Sequence, residues 1–234
     1  MARIGLLVPS SNTSVEPEFY RLLPDSVTLH TGRLLLTHIT PDGLRTMLND
    51  LENQSRLLAS ADVDIIVLGA ITPALTQGLS YDRELAQKMT AATGKRCTTT
   101  ATALMGALAH LGVKRIALAG PYDQTMTDLG RKFLEGNGVQ VVATKELGIT
   151  ENQRVGRLTY EDAYKLGKAA DAPDAEAIVF AGTNMRTMNV LEKLEQELGK
   201  PVVSTTAAAM WAALQAVKYD GRIEGYGTLL RRIV

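Results

Sequence analysis

The sequence has one cysteine, three histidines and no surplus of either charge. A single thiol, Cys97, excludes an internal disulfide and a cysteine-rich metal site. His30, His38 and His110 have no acidic partner at metal-ligand spacing, so each reads as an ordinary surface or core histidine. Lys and Arg number 25 against 25 Asp and Glu, with no basic block. Neither a nucleic acid nor a membrane surface is an expected partner. No apolar run reaches the about 20 residues of a membrane span. A strand pattern begins at Arg3 and leaves no room ahead of it for a signal peptide, so the expectation is a cytoplasmic protein. No metal and no cofactor are expected.

What the chain does have is hydrophobic residues, 45% of 234, enough for a sizeable core. The most informative stretch is Glu176 to Thr187. Ala177 to Phe180 is an apolar run that suits a strand buried on both faces. It gives way to small and polar residues, Ala181 to Asn184, and then to a helical pattern from Met188 to Leu198. A strand that ends this way before a helix leaves backbone N–H groups free to hold an anion. A second copy runs from Asp64 to Thr72, and Arg3–Ser10 is repeated at Arg115–Tyr122. Both pairs are offset by 112 residues, which indicates an internal duplication.

The remaining pattern alternates strands and helices, predicting α/β architecture with parallel sheets flanked by helices. After the strand Ile4–Val8 come the small polar residues Ser10 to Thr13, with Thr13 or Ser14 as the expected cap of a helix from about Glu16. One helix is predicted from Thr40 through Leu58, and others near 81–93, 101–110, 125–135 and 160–169. Cys97 falls in a short strand and reads as a buried, inert thiol. The expected division is two lobes, residues 1–96 with 205–234 and residues 97–204, with the chain from Tyr219 closing back on one of them.

Ligands bind beyond the carboxyl ends of parallel strands. Two facing lobes bring Pro9–Thr13, Gly69–Pro73, Gly120–Asp123 and Ala181–Met185 around one cleft. Its polar groups are neutral hydroxyls and amides, a composition suited to holding carboxylates.

The segments Val8-Pro9-Ser10-Ser11-Asn12-Thr13-Ser14-Val15-Glu16, Pro121-Tyr122, Leu147 to Asn152, Gly182-Thr183-Asn184-Met185 and Gly199 to Ser204 keep their order from end to end. Together they resemble the maleate isomerase and arylmalonate decarboxylase group of the aspartate/glutamate racemase superfamily. The resemblance implies two pseudosymmetric lobes and a substrate carboxylate caged by amides. Asn12, Tyr122 and Asn152 take the side-chain roles. Ser10, Ile71, Thr72, Thr183 and Asn184 complete the expected substrate-binding set, with the loops Ala70–Thr72 and Gly182–Asn184 supplying N–H donors. It also implies a cysteine at the tip of each lobe. Ala70 and Gly182 stand in those places and are not competent nucleophiles, acids or bases. Thr206 stands where relatives often have an asparagine.

The expected function is therefore an isomerase- or lyase-type enzyme acting on a small carboxylate or dicarboxylate by a cysteine-independent route. Tyr122 is the candidate acid, with Glu16 or Asp123 placed to tune it. The alternatives are a hydratase or hydrolase using a water where the cysteines are missing, and a non-catalytic carboxylate-binding protein. A homo-oligomer is the default expectation for assembly.

Overall fold

A computed structural model describes residues 1–233, Leu79 by its backbone alone. The chain runs β1 (Ala2–Pro9), α1 (Val15–Leu22), β2 (Val27–Leu34), α2 (Pro41–Asn49), α3 (Leu51–Ser60), β3 (Ile65–Leu68), α4 (Thr72–Gln77), α5 (Leu79–Thr93), β4 (Arg96–Thr99) and α6 (Thr100–His110). It continues through β5 (Arg115–Gly120), α7 (Gln124–Gly136), β6 (Gln140–Glu146), α8 (Asn152–Val155), α9 (Tyr160–Ala170), β7 (Ala177–Phe180), α10 (Met188–Leu198), β8 (Val202–Ser204), α11 (Thr205–Ala216) and α12 (Thr228–Arg231).

Two four-stranded parallel sheets result, ordered β2-β1-β3-β4 and β6-β5-β7-β8. The duplication is visible in the register: Ile4 lies opposite Ile65 in the first sheet, and Ile116 opposite Ala177 in the second. The central strands read as unbroken apolar runs because helices cover both faces, and Ile65–Leu68 and Ala177–Phe180 are buried throughout. Between the lobes, α6 and α11 pack together. Both are rich in alanine, so their backbones approach closely, and Trp211 lies over Gly106 where a Cβ would sit 3.4 Å from its ring. One apolar cluster runs through both sheets and these helices, so the lobes share a core.

Several details depart from expectation. The helix over 40–58 is two, α2 and α3, broken at Asp50, whose carboxylate accepts from the side chains of Asn53 and Gln54. The expected lobe boundary after residue 96 cuts β4, in which Cys97 lies opposite Ile66 of the first sheet. The tail docks on the second lobe: Arg231 pairs with Glu192 of α10, and the Thr228 N–H and hydroxyl donate to Glu195. Among the described residues, no helix is long and apolar enough to cross a membrane.

Candidate active site

Four loops converge beyond the strand ends, and side chains cross between them. Neither Thr13 nor Ser14 caps α1. Asn12 does, its Oδ1 accepting from the backbone N–H groups of Ser14 (2.9 Å) and Val15 (3.1 Å). This turns the Asn12 amide nitrogen toward the second lobe, where it donates to Thr183 Oγ1 at 3.1 Å. Thr183 in turn donates to the carbonyl of Gly69 at 3.1 Å. Gly69 and Thr183 precede and follow Ala70 and Gly182, so the two tip positions approach each other across the cleft.

Asn184 and Asn152 form the second crossing. Asn184 Oδ1 accepts from the Thr13 N–H at 2.8 Å, and its amide nitrogen donates to the Asn152 carbonyl at 2.7 Å. The Asn152 side chain donates to Ser11 Oγ at 2.9 Å and accepts a long bond, 3.4 Å, from the Tyr122 hydroxyl. Gly156, just past α8, allows this closeness, since a Cβ there would stand 2.4 Å from Thr13 Oγ1.

These residues enclose a cavity of about 10 Å³, counted as space for the centre of a water molecule, room for about one water. Of the expected binding residues, Asn12, Ile71, Thr72, Tyr122, Asn152, Thr183 and Asn184 line it, together with Ala70. Leu36 and Ile39, from the connection between β2 and α2, form an apolar wall that sequence reasoning missed. Ser10 is not among the lining residues; its hydroxyl accepts from the Leu36 N–H at 2.9 Å and so holds that wall. A wider open depression of about 540 Å³ around Lys218–Asp220 belongs to the tail and gathers none of these loops.

Among the described residues, the side chains lining the cavity carry no formal charge. Tyr122 is the titratable one, and burial raises its phenol well above the ordinary value, so it stays protonated and acts as a donor. Neither proposed tuning carboxylate is spare. Glu16 pairs with Arg33 at 2.8 Å, and Asp123 caps α7 by accepting from the Met126 N–H. Arg33 also donates to the carbonyls of Ser10 and Asn12, which braces the first loop from β2. Cys97 lies off the cavity, half-buried, with its thiol pushed up by burial.

Gly182 has φ +148, a conformation that L side chains rarely adopt, and a Cβ there would stand 3.1 Å from the Pro121 ring. Its backbone has settled into a shape that a side-chain-bearing residue at the tip would strain. The Gly182 N–H is bonded inward to Thr205 Oγ1 at 3.2 Å and is not presented to the cavity as expected.

The arylmalonate decarboxylase family matches residues 4–230. The chain is 26% identical over 242 residues to a maleate isomerase of Geobacillus stearothermophilus, covering 97% of this chain and 96% of that one. It is 29% identical over 229 residues to an arylmalonate decarboxylase of Bordetella bronchiseptica, covering 97% and 95%. A cysteine-to-alanine variant of the maleate isomerase Iso from Pseudomonas putida S16, solved with maleate, superposes with a TM-score of 0.93 at 29% identity, over 98% of this chain and 97% of that one.

Proposed function

This chain belongs to the arylmalonate decarboxylase family, and we propose that it works on a small carboxylate or dicarboxylate through an enolate-like intermediate, without a cysteine thiol. The observation that carries the reading is the neutral donor set closing on one cavity: the amide groups of Asn12 and Asn152, the Tyr122 hydroxyl and Thr72. When a malonate-type dianion loses CO₂, the electron pair of the broken C–C bond passes into an enediolate. Removal of a proton beside a carboxylate leaves the same charge. Donors fixed before the reaction stabilise that charge where it develops. The proton returned to carbon comes from Tyr122 or from a water in the cavity. Addition of a thiol to a double bond has no nucleophile here, because Ala70 and Gly182 carry none and Cys97 is in β4. Support for the ligand class comes from the maleate isomerase variant that was solved with maleate although one cysteine had been replaced.

The cavity is far smaller than the about 300–1,000 Å³ of most small-molecule sites, so a ligand of this class needs it to widen. A second reading rests on the cavity's size. Room for one water beside Ala70 suits a hydratase or hydrolase. Incubation with maleate, methylmalonate and phenylmalonate in D₂O, followed by proton NMR, separates the outcomes. Deuterium at the α-carbon with loss of CO₂ supports the enolate route, and malate formed from maleate supports hydration. Binding of all three with no product overturns both in favour of a carboxylate-binding protein.

A further inference from the structure

Glu18 stands outside the machinery described so far, yet it is one of the most deeply placed acids in the molecule, 2% exposed on α1. Its Oε1 accepts from the backbone N–H groups of Thr187 (2.9 Å) and Met188 (3.0 Å), where α10 begins in the other lobe. Among the described residues its Oε2 is buried without a partner, and so are the hydroxyls of Ser14 and Thr187. Ser14 lies one turn earlier on the same face of α1, the Glu18 N–H bonding to the Ser14 carbonyl at 3.1 Å. Thr187 is three residues beyond Asn184 and four beyond Thr183.

We propose that Glu18 is a positioning residue for the anion cage: its carboxyl ties the start of α10, three residues beyond the Gly182–Asn184 loop, to the first lobe, and its ionisation shifts that segment and the loop before it and weakens the hold on an anionic ligand. The second half of this statement rests on the carboxylate-cage reading. As a neutral acid, Glu18 keeps both bonds to α10 through Oε1 and leaves no charge on the buried Oε2. As an anion, it adds a buried negative charge, offset only in part by Arg21 and Arg186, next to the segment that follows a cage built for negative charge.

The surroundings place this change near neutrality. Burial lifts the carboxyl from 4.5 to about 7, against the lowering pull of the Met188 and Thr187 N–H groups and of Arg21 and Arg186. Arg21 is on the same helix and is held by the Tyr160 hydroxyl of α9; Arg186 precedes α10. From β2, Arg33 is committed to Glu16 and His30 to Thr28, while α11 presents no charged residue. Further along α10, Glu192 and Glu195 are bound to Arg231 and to Thr228.

Two measurements test this on the full chain, with Glu18→Gln as the variant that keeps an acceptor for α10. In ¹⁵N NMR, the amides of Thr187 and Met188 report Glu18 directly, and those of Thr183 and Asn184 report the loop. All four are expected to titrate with one midpoint between pH 6 and 8, and to stop doing so in Glu18→Gln. Flat Thr183 and Asn184 amides overturn the proposal, because Glu18 is then only a local helix cap; the wild-type titration alone decides this if the variant does not fold. In calorimetry with malonate, wild-type affinity is expected to fall roughly threefold to tenfold more than that of Glu18→Gln between pH 6 and 8, the ligand's own ionisation being common to both. Equal pH dependence in the two proteins overturns the electrostatic half. Absence of malonate binding at every pH overturns the cage reading instead, leaving Glu18 to be judged by the amides.

Discussion

Asn12 and Thr183 lie 171 residues apart and are joined across the cleft by a 3.1 Å hydrogen bond, which Thr183 extends to the Gly69 carbonyl. Asn12 thereby works as the cap of α1 and as a link between lobes, and it lines the cavity in which we propose it also holds the ligand. From the sequence alone, Asn12→Ala is expected to weaken binding of small dicarboxylates without altering thermal stability much. The buried crossing alters the second half of that expectation. Loss of the cap and the crossing should cost about 1–3 kcal/mol of stability. Loss of a donor to a charged ligand should weaken dicarboxylate binding roughly tenfold to a hundredfold. Denaturant melts beside malonate titrations check both, and an unchanged midpoint refutes the link between lobes.

Tyr122→Phe separates binding from proton delivery. The raised phenol and the long bond to Asn152 make Tyr122 a neutral donor at rest. If it only binds, KM rises with kcat nearly unchanged. If it also returns the proton to carbon, kcat falls by about 10²–10⁴. Steady-state rates on the substrate found by NMR decide which, and wild-type kinetics in the variant would remove Tyr122 from the site.

The duplication, the parallel sheets and most cavity-lining residues are legible in the sequence because they follow from short-range patterns. Ile65–Leu68 and Ala177–Phe180 are too apolar for anything but buried strands, and matched strand ends carry the loops. What stays hidden depends on partners far along the chain. Asn12, Thr13 and Ser14 are all good cap residues, and which one caps follows from the direction of the Asn12 side chain toward Thr183. Glu18 sits in an amphipathic helix like any surface acid, and only the arrival of α10 about 170 residues later buries it. The short helices α4 and α8 fall below the length at which periodicity is readable.

The two tip positions should respond differently to a thiol. Ala70→Cys adds one atom to a side chain that already faces the cavity, and it should fold like the wild type with a thiol that burial makes slow to react. Gly182→Cys must take a side chain at φ +148 against the Pro121 ring, and should lose about 1–3 kcal/mol. Equal stability of the two variants in thermal melts would show that the Gly182 backbone is not specialised.

Cys97 offers a simpler check. Its Sγ lies near Thr93 and the Lys95 carbonyl in β4, away from the cavity. Cys97→Ala should leave turnover unchanged and shift stability by less than about 1.5 kcal/mol, as a small half-buried side chain is trimmed. Loss of turnover in a folded variant would restore a thiol to the mechanism.

The pH dependence of stability gives a ligand-free view of Glu18. Its carboxyl is raised from 4.5 to about 7 in the folded chain, so between those values the folded state holds a proton that the unfolded chain has released. Stability contributed by this group is full below about pH 4.5 and is lost as pH rises toward 7, the reverse of a carboxylate held by a cation. The shift corresponds to roughly 3 kcal/mol, enough to be read against other titrating groups. Glu18→Gln, which cannot ionise, should lack this component. The difference in unfolding free energy between variant and wild type, measured by denaturant at intervals from pH 4 to 8, should therefore move in favour of the variant by about that amount and level off above pH 7. A constant difference across the range would mean that Glu18 ionises no later in the folded chain than in the unfolded one.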